Sequence, residues 1–221
     1  MSHTPHDPII NCKTPIADCD LFIFDFDNTL YDGHHYAIRL VFANLLHALR
    51  CKAERKVRKL LAGKDLGTAD ALRSQLTTLL AEATHTTPAK AKSWYENRYL
   101  PSMVSILRKH YNYRPGAKEL ISRLLDNGKT ICVLSDYPNT AERLAAIGLT
   151  DPRIHSFSAE EMGALKPTPR PFLELSQKFN TLPEKSIVIG DRDDTDGAGA
   201  RAASMNYIII DKHSPTLNLP L

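Results

Sequence analysis

The chain has 221 residues, of which 43% are hydrophobic and 24% are charged. This composition is ordinary for a soluble globular protein, and the length suits one large domain or a core domain with an insertion. The 28 basic and 25 acidic residues leave a net charge of +3, which is too balanced to indicate a nucleic-acid binder.

Two further features narrow the class of protein. No apolar run approaches the roughly 20 residues of a membrane helix, and the polar beginning of the chain does not resemble a signal peptide. The cysteines form no Cys-x-x-Cys pair and no cluster with zinc spacing; they are Cys12, Cys19, Cys51 and Cys132. We therefore expect a reduced, cytoplasmic protein without membrane or nucleic-acid partners, either a monomer or a homodimer. The densest basic stretch, Lys52 to Lys59, has helical spacing and indicates a solvated helix face.

The first half of the chain is predicted to contain one strand followed by helices. Residues 1–19 are polar, carry three prolines and are expected to be a loose lead-in. Leu21 to Phe24 is an uninterrupted apolar run, which is typical of a strand buried on both faces of a parallel sheet. The periodicity after residue 33 is helical, and helices are expected at about 34–50, 53–62, 68–83, 88–98 and 101–110.

The second half alternates short apolar runs with helical patterns. Strands are expected at about 130–134, 154–158, 186–189 and 207–210. Such alternation implies a parallel, doubly wound sheet. We therefore predict an α/β protein with a Rossmann-like core formed by residues 1–32 and 111–221, and with an all-helical domain inserted at residues 33–110.

Two carboxylates follow the first apolar run directly. Asp25 and Asp27 lie where the predicted strand leaves the sheet, and this edge is where open α/β sheets hold their ligands. Carboxylates this close repel each other unless a cation lies between them or one is protonated. A hard divalent ion such as Mg²⁺ would relieve the repulsion. The pair also fits an ordinary Asx-rich turn, so the later chain must supply the other parts of a site.

Polar side chains also follow the later strands, in the order Ser135 and Asp136, then Lys166, then Asp191 and Asp196. They supply a hydroxyl, a cation and further carboxylates, which are the groups that a phosphoryl-transfer site needs. Asp193 and Asp194, in the same acidic loop as Asp191, are expected to be solvated.

In this order, the four stretches resemble the four motifs of the haloacid dehalogenase-like (HAD) superfamily of phosphohydrolases. The resemblance covers about residues 20–35 and 113–210, and the helical insertion occupies the place of that family's type 1 cap. It implies Mg²⁺-dependent hydrolysis of a small phosphorylated metabolite. Asp136 departs from the family pattern, which often has Asn or Gly at this position.

The resemblance implies a role for each matching residue. Asp25 would be the nucleophile that forms an aspartyl-phosphate, and Asp27 would be the general acid and base. Mg²⁺ would be held by the Asp25 carboxylate, the Asp27 backbone carbonyl and Asp191. Asp196 would support the metal through water or orient Lys166.

The predicted substrate contacts are less specific. The groups expected to hold the phosphate are Ser135, Lys166 and the backbone N–H groups near Asn28. The candidates for contacting the rest of the substrate are Asp136, His34 at the entrance of the insertion, and Lys64 in the turn where type 1 caps often carry a specificity loop. Trp94, Tyr95 and Tyr99 have helical spacing and are expected in the core of the insertion.

Several alternatives share parts of this pattern. A phosphomutase uses the same four motifs, whereas a phosphonatase would need an activated cap lysine, for which Lys52, Lys56 and Lys64 are available. A receiver-like signalling domain also has an acidic cluster and a phospho-accepting Asp, but typically lacks Asp-x-Asp-x-Thr and so large a helical insertion. The intact set of motifs disfavours a binding protein on a degenerate fold. Asp27 disfavours a dehalogenase, because cleavage of a carbon–halogen bond needs no protonated leaving oxygen.

Overall fold

The computed structural model describes residues 7–219, so the ends of the predicted core domain, residues 1–6 and 220–221, lie outside the described residues. Within that range, six strands form one sheet: β1 (Ile9–Asn11), β2 (Leu21–Phe24), β3 (Thr130–Ser135), β4 (Ile154–Ser158), β5 (Ser186–Gly190) and β6 (Asn206–Ile209). Their order across the sheet is β1-β6-β5-β2-β3-β4, and only the β1–β6 pair is antiparallel. The predicted α/β class is therefore confirmed.

Nine α-helices accompany the strands in the described part of the chain. They are α1 (Tyr36–Ala43), α2 (Ala48–Leu61), α3 (Ala69–Ala83), α4 (Pro88–Trp94), α5 (Leu100–His110), α6 (Ala117–Asp126), α7 (Thr140–Ala146), α8 (Arg170–Lys178) and α9 (Ala198–Ala202). None of the helices in residues 7–219 has both the length and the apolar character that a membrane span requires.

Alternate residues of β2 pack on opposite faces of the sheet. Leu21 and Ile23 belong to one hydrophobic cluster and Phe22 and Phe24 to the other, and all four side chains are fully buried. The cluster that contains Leu21 continues into helices α2 to α5. Burial on both faces explains why this strand is apolar throughout and does not alternate.

The edge strand β1 corrects the prediction of a loose lead-in. Ile9–Asn11 pairs antiparallel with β6, and the side-chain oxygen of Asn206 accepts hydrogen bonds from the N–H groups of Lys13 (2.8 Å) and Thr14 (3.2 Å). Three residues are too few to show a periodic pattern. The position of β1 depends instead on its pairing with β6, almost 200 residues away.

The predicted helix at 34–50 is interrupted. Helix α1 ends before a 3₁₀ turn at Leu45–His47, and α2 begins directly after that turn. At the break, the buried Asn44 amide donates to the Leu40 carbonyl (3.0 Å) and to the Ser102 hydroxyl (2.9 Å). Such side-chain bonds to the preceding turn compete with the helical ladder and help to end the helix.

Helices α4 and α5 are joined by a π-helical turn at Tyr95–Tyr99. Trp94, Tyr95 and Tyr99 are all buried, so their predicted place in the core of the helical segment is confirmed. The predicted helices at 88–98 and 101–110 therefore form one nearly continuous helical stretch.

The helical segment contacts the sheet domain through the loop that follows α2. The Gly63 N–H donates to the Lys166 carbonyl (3.1 Å), and Arg170 forms an ion pair with both oxygens of Asp65 (2.7 and 2.8 Å). These contacts hold the end of α2 beside the loop that carries Lys166. The division into core and cap at residues 32 and 110 remains a prediction.

Candidate active site

The carboxyl ends of β2, β3 and β5 meet at one edge of the sheet. Strand β2 lies between the other two, so Phe24 is opposite Val133 on one side and Ile189 on the other. Residues that follow parallel neighbouring strands converge at this edge. They form the floor of a cavity of about 720 Å³; the floor residues are Asp25, Asp27, Asn28, Asp136, Lys166, Asp191 and Asp196.

Asp25 follows β2 and is only 8% exposed. Its Oδ1 accepts a hydrogen bond from Lys166 Nζ at 2.5 Å, and its Oδ2 accepts one from the Thr29 hydroxyl at 3.2 Å. Burial raises the pKa of Asp25 well above its ordinary value, and Asp196 and Asp191 add to this effect while Lys166 opposes it. An ionised Asp25 therefore needs more positive charge than Lys166 supplies.

Lys166 bridges two carboxylates. Its Nζ donates to Asp25 and, at 2.7 Å, to Asp196, and the residue is 3% exposed. Burial acts to lower the pKa of Lys166, but Asp196 and Asp25 together raise it well above its ordinary value. The ammonium group is therefore suited to neutralising anions and not to transferring a proton.

The position of Asp196 depends on the glycine that ends β5. A Cβ atom at Gly190 would lie 2.3 Å from Asp196 Oδ2 and 2.6 Å from its Cβ, which is closer than real contacts allow. The Arg192 N–H also donates to Asp196 Oδ2, at 3.3 Å. Gly190 thus permits the close packing that directs the other Asp196 oxygen to Lys166.

Three carboxylates fit a divalent cation. Asp25, Asp191 and Asp196 each place one oxygen within 4.8 Å of the other two. The Asp191 side chain is half-buried and makes no hydrogen bond or salt bridge with any residue in the described part of the chain. Mg²⁺ prefers oxygen ligands, and the Asp191 carboxylate is available to such an ion.

The pKa of Asp191 predicts how stability changes with pH when a chelator removes divalent metal. Burial, and then the neighbouring Asp196, raise the pKa of Asp191 from 3.8 to about 7. Between these values the folded protein holds a proton that the unfolded chain has released. The stability linked to that proton is present below about pH 4 and is lost as the pH rises through 7. The loss is at most about 4 kcal/mol, or several degrees in melting temperature.

Thermal unfolding in EDTA between about pH 5 and 8 measures this loss. The melting temperature of the wild type should fall across the range, and Asp191→Asn should remove much of the fall because the amide does not titrate. Added Mg²⁺ should stabilise the wild type most at the upper end of the range. A wild-type melting temperature that is constant or rises would contradict the raised pKa.

Arg143, on α7, connects two predicted catalytic residues and was not identified from the sequence. Its Nη2 donates to both oxygens of Asp27 (2.6 and 2.8 Å), and its Nη1 donates to the Ser135 hydroxyl (2.6 Å). The guanidinium carbon lies 4.3 Å from the centre of the Phe26 ring. Burial acts to lower the pKa of Arg143, but Asp27 and neighbouring groups raise it above its ordinary value. A permanent cation therefore holds Asp27.

The other predicted phosphate ligands occupy different positions. Ser135 is fully buried and does not line the cavity; its hydroxyl accepts from Arg143 and from the Tyr137 N–H (3.1 Å). Asn28 lines the cavity in the left-handed conformation (φ 58°), and the Arg114 guanidinium donates to its carbonyl. The roles assigned to Ser135 and Asn28 remain predictions.

Asp136 lines the cavity, and its Oδ1 accepts a hydrogen bond from the Lys166 N–H at 3.0 Å. Burial raises its pKa, although Lys166 opposes this. Asp136, which departs from the HAD pattern, thus holds the backbone of Lys166, and Lys166 in turn neutralises Asp25.

Lys64 and His34 are not brought to the cavity. Lys64 is exposed, and its carbonyl accepts from the Leu165 N–H (3.1 Å). His34 is exposed, and its carbonyl accepts from the Tyr111 hydroxyl (2.8 Å). Both residues use their backbone to fix loops, and nothing in their position supports the predicted contact of their side chains with substrate.

The interpretation of Lys52 to Lys59 as a solvated face is wrong for part of that stretch. One face of α2, together with Ala62 directly after the helix, also lines the cavity, and we call these residues the α2 wall: Arg55, Arg58, Lys59 and Ala62. The spacing of three, four and seven residues places these side chains together. In sequence, a basic helix face that lines a cavity looks the same as one that faces solvent. Only the packing of α2 against the sheet domain distinguishes the two.

Arg58 anchors the α2 wall. Its Nε donates to Glu54 (2.8 Å), and its Nη2 donates to Glu160 (2.8 Å) and to the Tyr95 hydroxyl (2.7 Å). Its Nη1 donates to the Asp136 carbonyl (3.2 Å). Glu54 and Glu160 are fully buried, so the charges of this network are paired away from water.

The geometry of the floor agrees with a match to a known family. Residues 19–204 match the family model described as haloacid dehalogenase-like hydrolase. The chain belongs to this family. The predicted HAD membership is therefore confirmed over most of the sequence, and it includes the helical segment as well as the sheet.

Curated relatives of this HAD protein match over shorter segments. A glyceraldehyde 3-phosphate phosphatase of Methanopyrus kandleri is 38% identical over 52 residues, which cover 24% of this chain and 22% of that protein. A ribulose-1,5-bisphosphate 5-phosphatase of Halopiger xanaduensis is 27% identical over 99 residues, which cover 44% of this chain and 41% of that protein. The matched segments thus span less than half of each relative.

A solved structure extends the likeness to the fold. The HAD hydrolase of Bacillus subtilis bound to magnesium superposes with a TM-score of 0.60 at 19% sequence identity. The match covers 86% of this chain and 87% of that one. It shows that the two chains share a fold that includes both the sheet and the helical segment.

Proposed function

We propose that this HAD protein is a Mg²⁺-dependent phosphomonoesterase that acts on a small phosphorylated metabolite. The observation that carries the proposal is the buried Asp25 carboxylate, held by Lys166 beside the unpaired Asp191. The relatives named for glyceraldehyde 3-phosphate and ribulose 1,5-bisphosphate support a phosphorylated sugar or a similar metabolite as substrate.

Asp25 would act as the nucleophile. Lys166 and Thr29 fix its two oxygens, so the carboxylate is oriented before substrate binds. Its attack on phosphorus forms an aspartyl-phosphate and breaks the bond to the leaving oxygen, which takes a proton from Asp27. Asp27 then removes a proton from the water that hydrolyses the intermediate, and Asp25 is regenerated.

Asp25, Asp191 and the Asp27 carbonyl would hold Mg²⁺. When bound, the ion supplies the positive charge that lets an anionic nucleophile approach an anionic phosphate. Lys166 supplies further positive charge to Asp25, and Asp196 keeps the ammonium group in place.

Residues 33–110 would act as a cap over this site. Helix α2 lines the cavity, and Arg58 links it to Glu160 and Asp136. A cap in this place would exclude water from the aspartyl-phosphate and contact the leaving group.

Release of inorganic phosphate from a panel of phosphomonoesters tests the proposal. We expect release with Mg²⁺ to exceed release with EDTA by at least about tenfold, and readdition of Mg²⁺ to restore it. Isomerised ester without free phosphate would indicate a mutase. A stable phosphoprotein without turnover would indicate a receiver-like role, and either result would overturn the proposed function.

A further inference from the structure

The basic side chains that line the cavity differ in how they are paired. Lys166 contacts Asp25 and Asp196, and Arg192 contacts Asp194 through two hydrogen bonds (3.0 and 2.6 Å). Arg58 contacts Glu54 and Glu160. These cations are neutralised by carboxylates of the protein itself.

Arg55 and Lys59 are the exception. Both line the cavity, and neither side chain makes a hydrogen bond or salt bridge with any residue between 7 and 219. They lie four residues apart on α2, so their side chains leave the helix on one face about 6 Å apart along its axis. The acidic residue of α2, Glu54, accepts hydrogen bonds from Arg58 and from the Tyr99 hydroxyl and does not pair with Arg55 or Lys59.

The α2 wall is held in a fixed position relative to the floor. Arg58 lies between Arg55 and Lys59 in sequence, and it donates hydrogen bonds to Glu160 and to the Asp136 carbonyl. Gly63, two residues after α2, bonds to the Lys166 carbonyl. The two unpaired cations are therefore presented to the cavity by a helix that is anchored between them, at Arg58, and just beyond its end, at Gly63.

We propose that Arg55 and Lys59 bind a second oxyanion of the substrate, so that the substrate is a phosphomonoester whose leaving group carries a carboxylate or another phosphate. The inference rests on the proposed function, which places the transferred phosphate at the floor beside Asp25. The leaving group then extends towards the α2 wall. A planar guanidinium and an ammonium one helical turn apart can share the oxygens of one carboxylate or phosphate.

Three esters with similar two-carbon leaving groups test this proposal. Ethyl phosphate has no second anion, 2-phosphoglycolate has a carboxylate, and ethane-1,2-diol bisphosphate has a phosphate. The measured quantity is the ratio of kcat/KM for each charged ester to kcat/KM for ethyl phosphate. In the Arg55→Met, Lys59→Met double variant, one or both ratios should fall by about 10- to 100-fold, and the affected ratio identifies the second anion.

The matched control is Lys56→Met, which removes an exposed positive charge from α2 at a residue that does not line the cavity. Both ratios should remain at their wild-type values in this variant. High salt should lower the ratios in the wild type more than in the double variant, because exposed charges are screened. Ratios that stay unchanged in the double variant, or fall equally in the control, would overturn the inference.

Failure of the proposed function is distinguishable from failure of this inference. If the wild type releases phosphate from no member of the wider phosphomonoester panel, the proposed function fails. If it hydrolyses none of these three esters, calorimetric titration with all three still tests the anion site alone. Tighter binding of either charged ester to the wild type than to the double variant would support the site. Equal affinities would overturn it.

Discussion

Asp25→Asn should reduce phosphate release by about 10⁴-fold or more, because an amide cannot attack phosphorus to form the acyl phosphate. The change keeps the size of the side chain. It also removes a carboxylate whose ionised form is opposed by burial, Asp196 and Asp191. We therefore expect the variant to remain folded, with a melting temperature in EDTA no lower than that of the wild type.

Rates and melting temperatures of both proteins check this expectation together. Asp193→Asn is the matched control, since Asp193 is exposed, pairs with Arg201 and does not line the cavity. The control should retain nearly full activity. Acid quenching during turnover of a ³²P-labelled substrate should trap labelled protein in the wild type but not in Asp25→Asn. An active, unlabelled Asp25→Asn protein would exclude Asp25 as the nucleophile.

Much of the floor of the cavity could be predicted because Asp25 and Asp191 directly follow the apolar strands β2 and β5. Asp25, Lys166 and Asp191 lie 25 to 166 residues apart in the chain, yet the parallel sheet brings them to one edge. The apolar runs indicate which strands are central, and central strands have to be neighbours. Sequence reasoning therefore predicts this convergence without any knowledge of packing.

The α2 wall could not be predicted in the same way. Arg58 contacts Asp136 and Glu160, which are 78 and 102 residues away. Nothing in the local pattern around Arg58 separates a buried arginine from a solvated one. The orientation of α2 depends on how the whole helical segment packs, and periodicity gives the apolar face of a helix but not the partner of each polar residue.

Edges and helix breaks were missed for related reasons. Strand β1 has three residues, and its register is set by β6 at the other end of the chain. The break after α1 depends on Asn44, whose amide donates a hydrogen bond to the Ser102 hydroxyl on α5. Both features are produced by tertiary contacts, which outweigh weak local preferences.

Arg143→Met should lower kcat by about 10²- to 10³-fold with little change in KM. Asp27 is proposed to transfer protons in the transition state, and Arg143 is the cation that orients its carboxylate. The free energy of unfolding should also fall, by about 2–4 kcal/mol, because Asp27 loses its ion-pair partner. This is less than for a fully buried pair, since the Asp27 side chain is 32% exposed.

Comparison with Arg143→Lys separates positioning from stability. Lysine retains the charge but has a single nitrogen in place of the planar guanidinium. It therefore cannot hold both Asp27 oxygens and the Ser135 hydroxyl as Arg143 does. We expect Lys to recover most of the stability but only part of kcat. Arg123→Met, at an exposed arginine on α6, should change neither quantity. Full recovery of kcat in Arg143→Lys, or an undiminished kcat in a folded Arg143→Met protein, would show that Arg143 supports the fold and does not position Asp27.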